Sequence, residues 1–453
     1  MSPSRLLKDT REEVAGLLSE LIRIDTTNPP GNETEAAEFL ATSLEREGFT
    51  CETYESEPGR GSVITRLKGT GSKPSLLLLS HLDVVPANRK EWSIDPFGGV
   101  IKDGFVWGRG AVDMKSMTAV EVMVMKLLKR NKVKLKGDIV LAATADEEKG
   151  GEKGAGWLVR NHPEKVDADY VINEGGGLAV PIDGKSMYTI QTAEKGILWL
   201  KIKAKGIPGH GSIPGAADNA ILRMNRVVDK LADYRARITL IPTVKEYLTA
   251  VAAGDRAKRK ALTGLLKNPA IADKMLDDIA KKDKFIAEEM RVKLRMTVTP
   301  TIVHGGVKEN VIPSECEAIF DCRVLPGQTP KEALETIKHL LREVDFEKLE
   351  FEIVQAQDPS ESPLHTPLYE QIVGVLKDFD PECHIAPDML TGGTDSRFFR
   401  IKGITSYGFH PMQSDIPYSE IKEAIHGIDE KISMDNLVFG TSILYNVVER
   451  FLT

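Results

Sequence analysis

The first half of the chain alternates short apolar runs with stretches of helical periodicity. Apolar runs between turn residues predict strands buried on both faces, at 75–80, 138–144 and 169–172. Helical periodicity fills the intervals, at 33–47, 116–130 and 154–161. A sheet covered by helices on both faces is typical of α/β proteins with a mostly parallel sheet.

The pattern changes near residue 190. Segments 197–204, 297–303, 315–323 and 349–354 read as strands, and segments 219–231 and 330–344 read as helices. Their β-α-β-β-α-β order is that of a ferredoxin-like unit. A helical stretch rich in Ala, Lys and Asp interrupts this order at about 245–295.

The α/β pattern resumes near residue 360, with a strand at 404–409 and a helix at 437–451. We therefore predict an α/β protein of two domains. One is a discontinuous domain of residues 1–190 and 359–453 with a mostly parallel sheet. The other is an inserted α+β domain of residues 191–358.

Composition narrows the functional class. Hydrophobic residues make up 41% of the chain and charged residues 28%, which excludes a disordered chain. The net charge of −7 argues against a nucleic-acid partner, and no apolar run approaches the length of a membrane span. The four cysteines form no Cys-x-x-Cys pair, so we expect reduced thiols and a cytoplasmic protein. The basic residues at 256–260 are interpreted as a solvated helix face.

Polar residues follow each of the three apolar strands. They are His81 and Asp83 after the first, Glu147 and Glu148 after the second, and Glu174 after the third. Binding sites of open α/β sheets lie at the carboxyl ends of strands, so these side chains are expected to converge. His81 and Asp83 project to the same side of an extended backbone, where Asp83 can accept the second ring N–H of a metal-bound His81.

Each signal taken singly also fits a structural role. His81-Leu82-Asp83 can be a capping hydrogen bond, the paired glutamates an exposed loop, and Glu174 a turn residue. Their coincidence at three successive strand ends favours a metal site. Asp113, just before the helix at 116–130, is placed to bridge two cations. A dinucleotide-binding turn at Gly108 is excluded because Asp113 stands where its third glycine should be.

Four segments together resemble one family. Residues 80–86 (SHLDVVP), 108–115 (GRGAVDMK), 146–148 (DEE) and 173–175 (NEG) resemble, in this order, the motifs of M20-type metallopeptidases. That group includes aminoacylases, carboxypeptidases, dipeptidases and succinyl-diaminopimelate desuccinylases. The resemblance covers essentially the whole chain. It implies a catalytic domain of the zinc-exopeptidase type and an inserted lid domain that also forms a homodimer.

The resemblance also implies roles for single residues. Two zinc ions per chain would be held by His81 and Glu174, by Glu148 and His426, and by Asp113 as the bridge. Asp83 would orient His81, and Glu147 would be the general base for a water between the metals. Co²⁺ or Mn²⁺ could serve the same ligands.

Substrate contacts are implied in the same way, at His210, Asn310, Arg323, Gly393 and Thr394. Arg323 would grip a substrate carboxylate through its planar fork. His210 would stabilise the oxyanion, acting across the dimer, and the strand at 197–204 is expected at the sheet edge where two copies pair. Without the catalytic motifs, a capping His210, a turn Asn310 and a surface Arg323 would be the favoured interpretations.

The expected function is metal-dependent hydrolysis of an amide bond, peptide or N-acyl, next to a free carboxylate. Within the family, the carboxypeptidase and N-acyl-amino-acid hydrolase branch is favoured. A dipeptidase and a desuccinylase remain the alternatives. A metal-binding protein without catalysis is disfavoured because the five ligands and the base are all present.

Overall fold

The computed structural model describes residues 3–182, 184–254, 264, 272–281 and 284–453. The chain forms two compact units. Unit 1 comprises Met1–Thr192, Ser362–Asp388 and Thr394–Thr453, and unit 2 comprises Ala193–Glu361 and Met389–Gly393. Segment 389–393, which we predict as part of the discontinuous domain of residues 1–190 and 359–453, belongs to unit 2. The basic stretch at 256–260 and much of the expected helical insertion lie outside the described residues.

The elements are numbered in chain order over the described residues. The strands are β1 Cys51–Glu55, β2 Gly61–Leu67, β3 Leu76–His81, β4 Val100–Lys102, β5 Phe105–Trp107, β6 Ile139–Thr144, β7 Tyr170–Asn173, β8 Val180–Ile182, β9 Lys185–Glu194, β10 Gly196–Lys205, β11 Gly209–His210, β12 Thr297–Gly305, β13 Val311–Ile312, β14 Glu315–Val324, β15 Leu349–Gln357, β16 Ser360–Glu361, β17 His384–Leu390, β18 Thr405–Gly408 and β19 Lys431–Ser433. The helices are α1 Pro3–Arg23, α2 Glu33–Glu45, α3 Lys115–Arg130, α4 Ala155–Asn161, α5 Pro163–Val166, α6 Ala220–Ala232, α7 Pro242–Gly254, α8 Ala272–Ala280, α9 Lys284–Lys293, α10 Pro330–Leu340, α11 Pro367–Phe379, α12 Ser396–Arg400, α13 Tyr418–Ala424 and α14 Met434–Leu452.

The main sheet of unit 1 has the order β1-β2-β6-β3-β7-β18-β9. Its four central strands, β6, β3, β7 and β18, are parallel, whereas β1, β2 and β9 pair antiparallel on the flanks. Alternate residues of β3 enter two separate apolar clusters. Leu78 packs in the cluster that contains α1, α3 and α14, and Leu79 packs in the cluster that contains α4. The predicted α/β class with a parallel central sheet is confirmed.

Unit 2 contains a four-stranded antiparallel sheet in the order β12-β14-β10-β15. With α6 after β10 and α10 after β14, this is the predicted ferredoxin-like arrangement. Alternate residues of β10, from Leu198 to Ala204, are buried with residues of α6 and α10. β10 lies between β14 and β15, so the expectation of an edge strand at 197–204 is wrong. Its alternation arises because one face of the sheet is covered and the other is not; the edges are β12 and β15.

Two further observations concern the cysteines and the hydrophobicity of the helices. All four cysteines are free thiols, and three of them are buried. Within the described part of the chain, no helix is both long enough and apolar enough to cross a membrane.

We expect Leu78→Ala to lower the free energy of unfolding by about 2–5 kcal/mol, because the side chain is fully buried in the central strand and its removal leaves a cavity. Ile101→Ala on β4 removes the same number of carbons from a side chain that is 44% exposed, and it should change stability by less than about 0.5 kcal/mol. Urea unfolding followed by tryptophan fluorescence measures both variants. Equal losses would contradict this description of the core.

Candidate active site

Three parallel strands of unit 1 end at the same place and each delivers a polar side chain. His81 is the last residue of β3, Glu174 directly follows β7, and Glu148 lies in the short 3-10 turn after β6. Asp113 stands two residues before α3. His426 lies between α13 and β19 with a left-handed backbone, φ 60°. Five positions that are far apart in sequence therefore meet at the carboxyl edge of the sheet.

Asp113 lies between two groups of side chains. Its Oδ1 is 3.3 Å from His81 Nε2, which is itself 3.8 Å from Glu174 Oε1. Its Oδ2 is 3.2 Å from His426 Nε2, which is 3.4 Å from Glu148 Oε2. One carboxylate thus presents an oxygen to each group, which is the geometry required of a bridging ligand.

The two groups have the chemistry and spacing of metal sites. In each, one ligand atom per residue lies within 4.8 Å of the others. Ligands of a single zinc ion, each bound at about 2.0–2.2 Å, lie roughly 3–4 Å apart. His81 Nε2 and Glu148 Oε1 are buried without a hydrogen-bond partner among the described residues. Buried polar atoms of this kind are costly unless something else binds them, so the residues fit a pair of divalent cations.

Electrostatics support the same interpretation. Burial raises the pKa of Glu147 well above its usual value, and the nearby Glu174 adds to this shift. Burial also raises the pKa of Glu174. Hydrogen bonds to Asp113 and Glu148 raise the pKa of His426 to about 10. These shifts arise because several carboxylates are buried close together, and divalent cations bound among them would offset their mutual repulsion.

Asp83 is buried beside His81, and its role in orienting that imidazole stays a prediction. His81 Nδ1 is 3.0 Å from the backbone carbonyl oxygen of Asp83 and 3.5 Å from its carboxylate. The carboxylate instead accepts the backbone N–H groups of Glu147 and Glu148, both at 3.0 Å. It also accepts a hydrogen bond from Asn28 Nδ2 at 2.8 Å. The Asp83 carboxylate thus holds the turn that carries both Glu147, the candidate base, and Glu148, a candidate metal ligand.

Glu430, which no sequence pattern singled out, holds the backbone of the loop that carries Asp113. Its Oε1 accepts the backbone N–H groups of Val112 and Asp113 at 2.7 and 2.9 Å. Its Oε2 accepts hydrogen bonds from Arg109 Nη1 and Gly110 N at 2.8 and 3.1 Å. Glu430 lies four residues after His426 in the same segment, and that proximity was the available signal.

Asp395 and His410 were also missed. Asp395 is 2% exposed, accepts a hydrogen bond from Thr144 Oγ1 at 3.3 Å, and lies near enough to Glu147 to raise its pKa. Burial raises the pKa of Asp395 itself to about 7. His410 is buried close to Asp113, and burial lowers the pKa of its imidazole to about 4. The sequence signal for Asp395 is its place directly after Gly393 and Thr394 in the glycine-rich loop.

The implied substrate-contacting residues are distributed over both units. In unit 2, His210 is exposed on β11, with Nδ1 2.7 Å from Ser212 Oγ, and Gly211 N donates to the Asn310 carbonyl oxygen at 2.8 Å. Arg323 on β14 donates two hydrogen bonds to Asp321, at 2.7 and 3.0 Å. Gly393 belongs to unit 2, and Thr394 is buried in unit 1. The roles of these residues stay predictions.

A profile of the "Peptidase family M20/M25/M40" matches residues 77–450, which include every candidate ligand. The chain belongs to this family. Similar relatives are aminoacylase-1 of Sus scrofa, 28% identical over 94% of this chain and 92% of the relative, and N-fatty-acyl-amino acid synthase/hydrolase PM20D1 of Homo sapiens, 28% identical over 99% and 89%. The resemblance drawn from the motifs is therefore confirmed.

Solved structures of M20 proteins share the fold. An M20 family metallo-carboxypeptidase, Sso-CP2 from Sulfolobus solfataricus, matches with a TM-score of 0.72 at 18% identity, over 97% of this chain and 99% of that chain. Human carnosine dipeptidase 1 matches with a TM-score of 0.70 at 17% identity, over 100% and 99%. M20 proteins with different activities thus share this architecture.

We expect His426→Ala to remove metal from one ligand group and leave the other, because His426 belongs to only one of the two groups. Elemental analysis after dialysis should fall from about two metals per chain to about one, whereas Asp113→Asn, which alters both groups, should lower both. His339→Ala on the exposed side of α10 is the matched control and should keep full occupancy. Full occupancy in His426→Ala would contradict the assignment.

Proposed function

We propose that this M20 protein is a dinuclear metal hydrolase that cleaves a peptide or N-acyl amide bond next to a free carboxylate. The observation that carries the proposal is Asp113, which presents one oxygen to each of two His-carboxylate groups while Glu147 lies beside them. Two Zn²⁺ ions per chain suit these ligands, and Co²⁺ or Mn²⁺ would also be accepted.

The mechanism assigns proton transfer to Glu147. When bound, the paired cations acidify water and stabilise negative charge on the reacting carbonyl oxygen. Glu147, whose Oε2 is 4.0 Å from His81 Nε2, takes the proton of the attacking water and returns it to the leaving amine.

Recognition of the free carboxylate is assigned to Arg323. Its guanidinium is already held in a bidentate pair with Asp321, which fixes the plane of the fork. The side chain remains about one-quarter exposed, so it retains a face for a second carboxylate. His210 would donate to the developing oxyanion, and Gly393 and Thr394 would contact the substrate from the glycine-rich loop.

The relatives support an N-acyl amino acid or a short peptide as the substrate. Those most similar in sequence include an aminoacylase and an N-fatty-acyl-amino acid synthase/hydrolase, and a metallo-carboxypeptidase shares the fold. We therefore favour the N-acyl-amino-acid hydrolase and carboxypeptidase branch. A dipeptidase is the second candidate, since carnosine dipeptidase 1 also shares the fold, and a desuccinylase is the third. A panel of N-acyl amino acids, C-terminally free peptides, dipeptides and N-succinyl substrates with Zn²⁺, Co²⁺ and Mn²⁺ distinguishes them.

We expect Glu147→Gln to lose several orders of magnitude in kcat while keeping fold and metal content, because the amide cannot accept the proton and the ligands are unchanged. Glu152→Gln, an exposed glutamate five residues further on, is the matched control and should retain full activity. A Glu147→Gln variant with more than about a tenth of the normal kcat would assign the base elsewhere. A metal-loaded wild type without turnover on any substrate would favour a non-catalytic metal-binding protein.

We further propose a homodimer formed through unit 2, in a cytoplasmic protein whose four thiols remain reduced. The edge strand β12 offers unpaired backbone groups beside exposed apolar side chains, including Ile302 and Val303 at 43% and 52% exposure. Pairing of two copies along such an edge would cover both. In this dimer His210 would serve the active site of the other subunit.

Mixing His210→Ala with Glu147→Ala after dissociation and reassociation tests this arrangement. One site of each mixed dimer then combines an intact Glu147 with an intact His210 from the other chain. Random pairing makes half of the dimers mixed, so roughly a quarter of normal activity should return. No recovery in confirmed mixed dimers would mean that His210 acts within its own chain.

A further inference from the structure

A buried network of charged side chains lies beside the turn that carries the candidate base. Its members are Glu33 at the start of α2, Arg60 immediately before β2, and Asp146, which directly precedes Glu147. They are 0%, 4% and 5% exposed. Charged groups are rarely buried this completely unless they are paired, and the metal site and proposed mechanism leave this network without a function.

Arg60 is the centre of the network. Its Nη2 donates a hydrogen bond to Asp146 Oδ1, and its Nη1 lies 2.9 Å from Glu33 Oε1. Nη1 also donates to the carbonyl oxygen of Pro30 at 3.2 Å. The guanidinium packs against Gly31, where a Cβ atom would come within 1.2 Å of Nη1. The backbone at Pro30 and Gly31 therefore packs closely around the Arg60 guanidinium.

Asp146 needs such support because of its backbone. Its φ of 72° is in the left-handed region, which residues other than glycine adopt at a cost. Its Oδ2 accepts the backbone N–H of Lys153 at 2.9 Å, and its carbonyl oxygen accepts that of Gly151 at 2.6 Å. The conformation of Asp146 sets the direction in which the next residue, Glu147, leaves strand β6.

Asn28 connects this charged network to Asp83, which holds the backbone of Glu147. Asn28 Nδ2 donates to Asp83 Oδ2 at 2.8 Å and lies 3.4 Å from Asp146 Oδ1. Asp83 in turn accepts the N–H of Glu147 at 3.0 Å. Arg60 thus restrains the start of the turn through Asp146, while Asp83 restrains the backbone of the base itself.

We propose that Arg60 is a positioning residue for amide hydrolysis: by fixing Asp146, it aims the Glu147 carboxylate without touching the metals or the substrate. This role rests on the proposed function. The restraint passes from the Arg60 guanidinium to the Asp146 carboxylate. From there it acts through the left-handed backbone of Asp146 on the adjacent Glu147. A displacement of about 1 Å in a reacting group can cost about 10²-fold in rate, so a residue outside the reacting atoms can still control kcat.

The test compares Arg60→Met with Arg66→Met in the holoenzyme. Arg66 is the matched control, since it lies on the adjoining β2 and pairs with Asp138 at 3.1 Å, away from the base. For Arg60→Met we expect full metal content, a KM within about threefold of wild type, and a kcat lower by about 10²-fold. Hydrogen exchange at the Glu147 and Glu148 amides should be faster than in wild type and in Arg66→Met.

Two further variants test the proposal in case Arg60→Met folds poorly. Arg60→Lys keeps the charge but cannot span Glu33 and Asp146 as a fork, so it should lose part of the rate and remain folded. Asp146→Asn combined with Arg60→Met should be no slower than the slower single variant, because both act through one contact.

The outcomes separate the two proposals. Unchanged kcat in metal-loaded Arg60→Met or Arg60→Lys, with an active wild type, would overturn the role of Arg60 alone. Additive losses in the double variant would also overturn it. A wild type without turnover on the whole substrate panel would overturn the proposed function, and the role of Arg60 would fall with it.

Discussion

The accumulation of buried negative charge around Asp113 is the constraint on which the rest of the site depends. Asp113, Glu147, Glu148 and Glu174 approach one another where the parallel strands end, and the imidazoles of His81 and His426 lie among them. Such an arrangement is stable only if protons or cations compensate it. The fold has assembled the carboxylates at a cost that bound cations would offset.

Two other acids keep those carboxylates in place, and both do so through backbone N–H groups. Asp83 holds the turn of Glu147 and Glu148, whereas Glu430 holds the loop of Asp113. Neither needs to reach a cation to matter. A carboxylate that accepts several backbone N–H groups fixes a loop more closely than a single side-chain contact does, because it determines the path of the chain itself. The candidate ligands Glu148 and Asp113 lie on separate loops, and a buried carboxylate holds the backbone of each loop in the same way.

Much of this fold could be predicted from the sequence, because buried parallel strands leave a direct signature. β3 and β6 are continuous apolar runs whose side chains enter clusters on both faces, so neither needs a periodic pattern to be recognised. Asn219 caps α6 with a hydrogen bond from Ile221 N, within one residue of the predicted helix start. The alternation of β10 was misinterpreted, because alternation reports one uncovered face and carries no information about the neighbours of a strand. The contact of Arg60 with Asp146 spans 86 positions, and no local pattern marks it.

The order of strands in unit 1 has a consequence for how the protein is made. β18 lies between β7 and β9, although it is synthesised more than 200 residues after them. In a nascent chain on the ribosome, the position between β7 and β9 therefore stays unfilled until residues 405–408 have emerged. His426 is synthesised after β18, so the ligand group of Asp113, Glu148 and His426 is completed later still. Long-range pairing of this kind makes folding slow and leaves apolar strand edges uncovered meanwhile. A chain with this topology therefore depends on protection from aggregation until β18 has been inserted into the sheet.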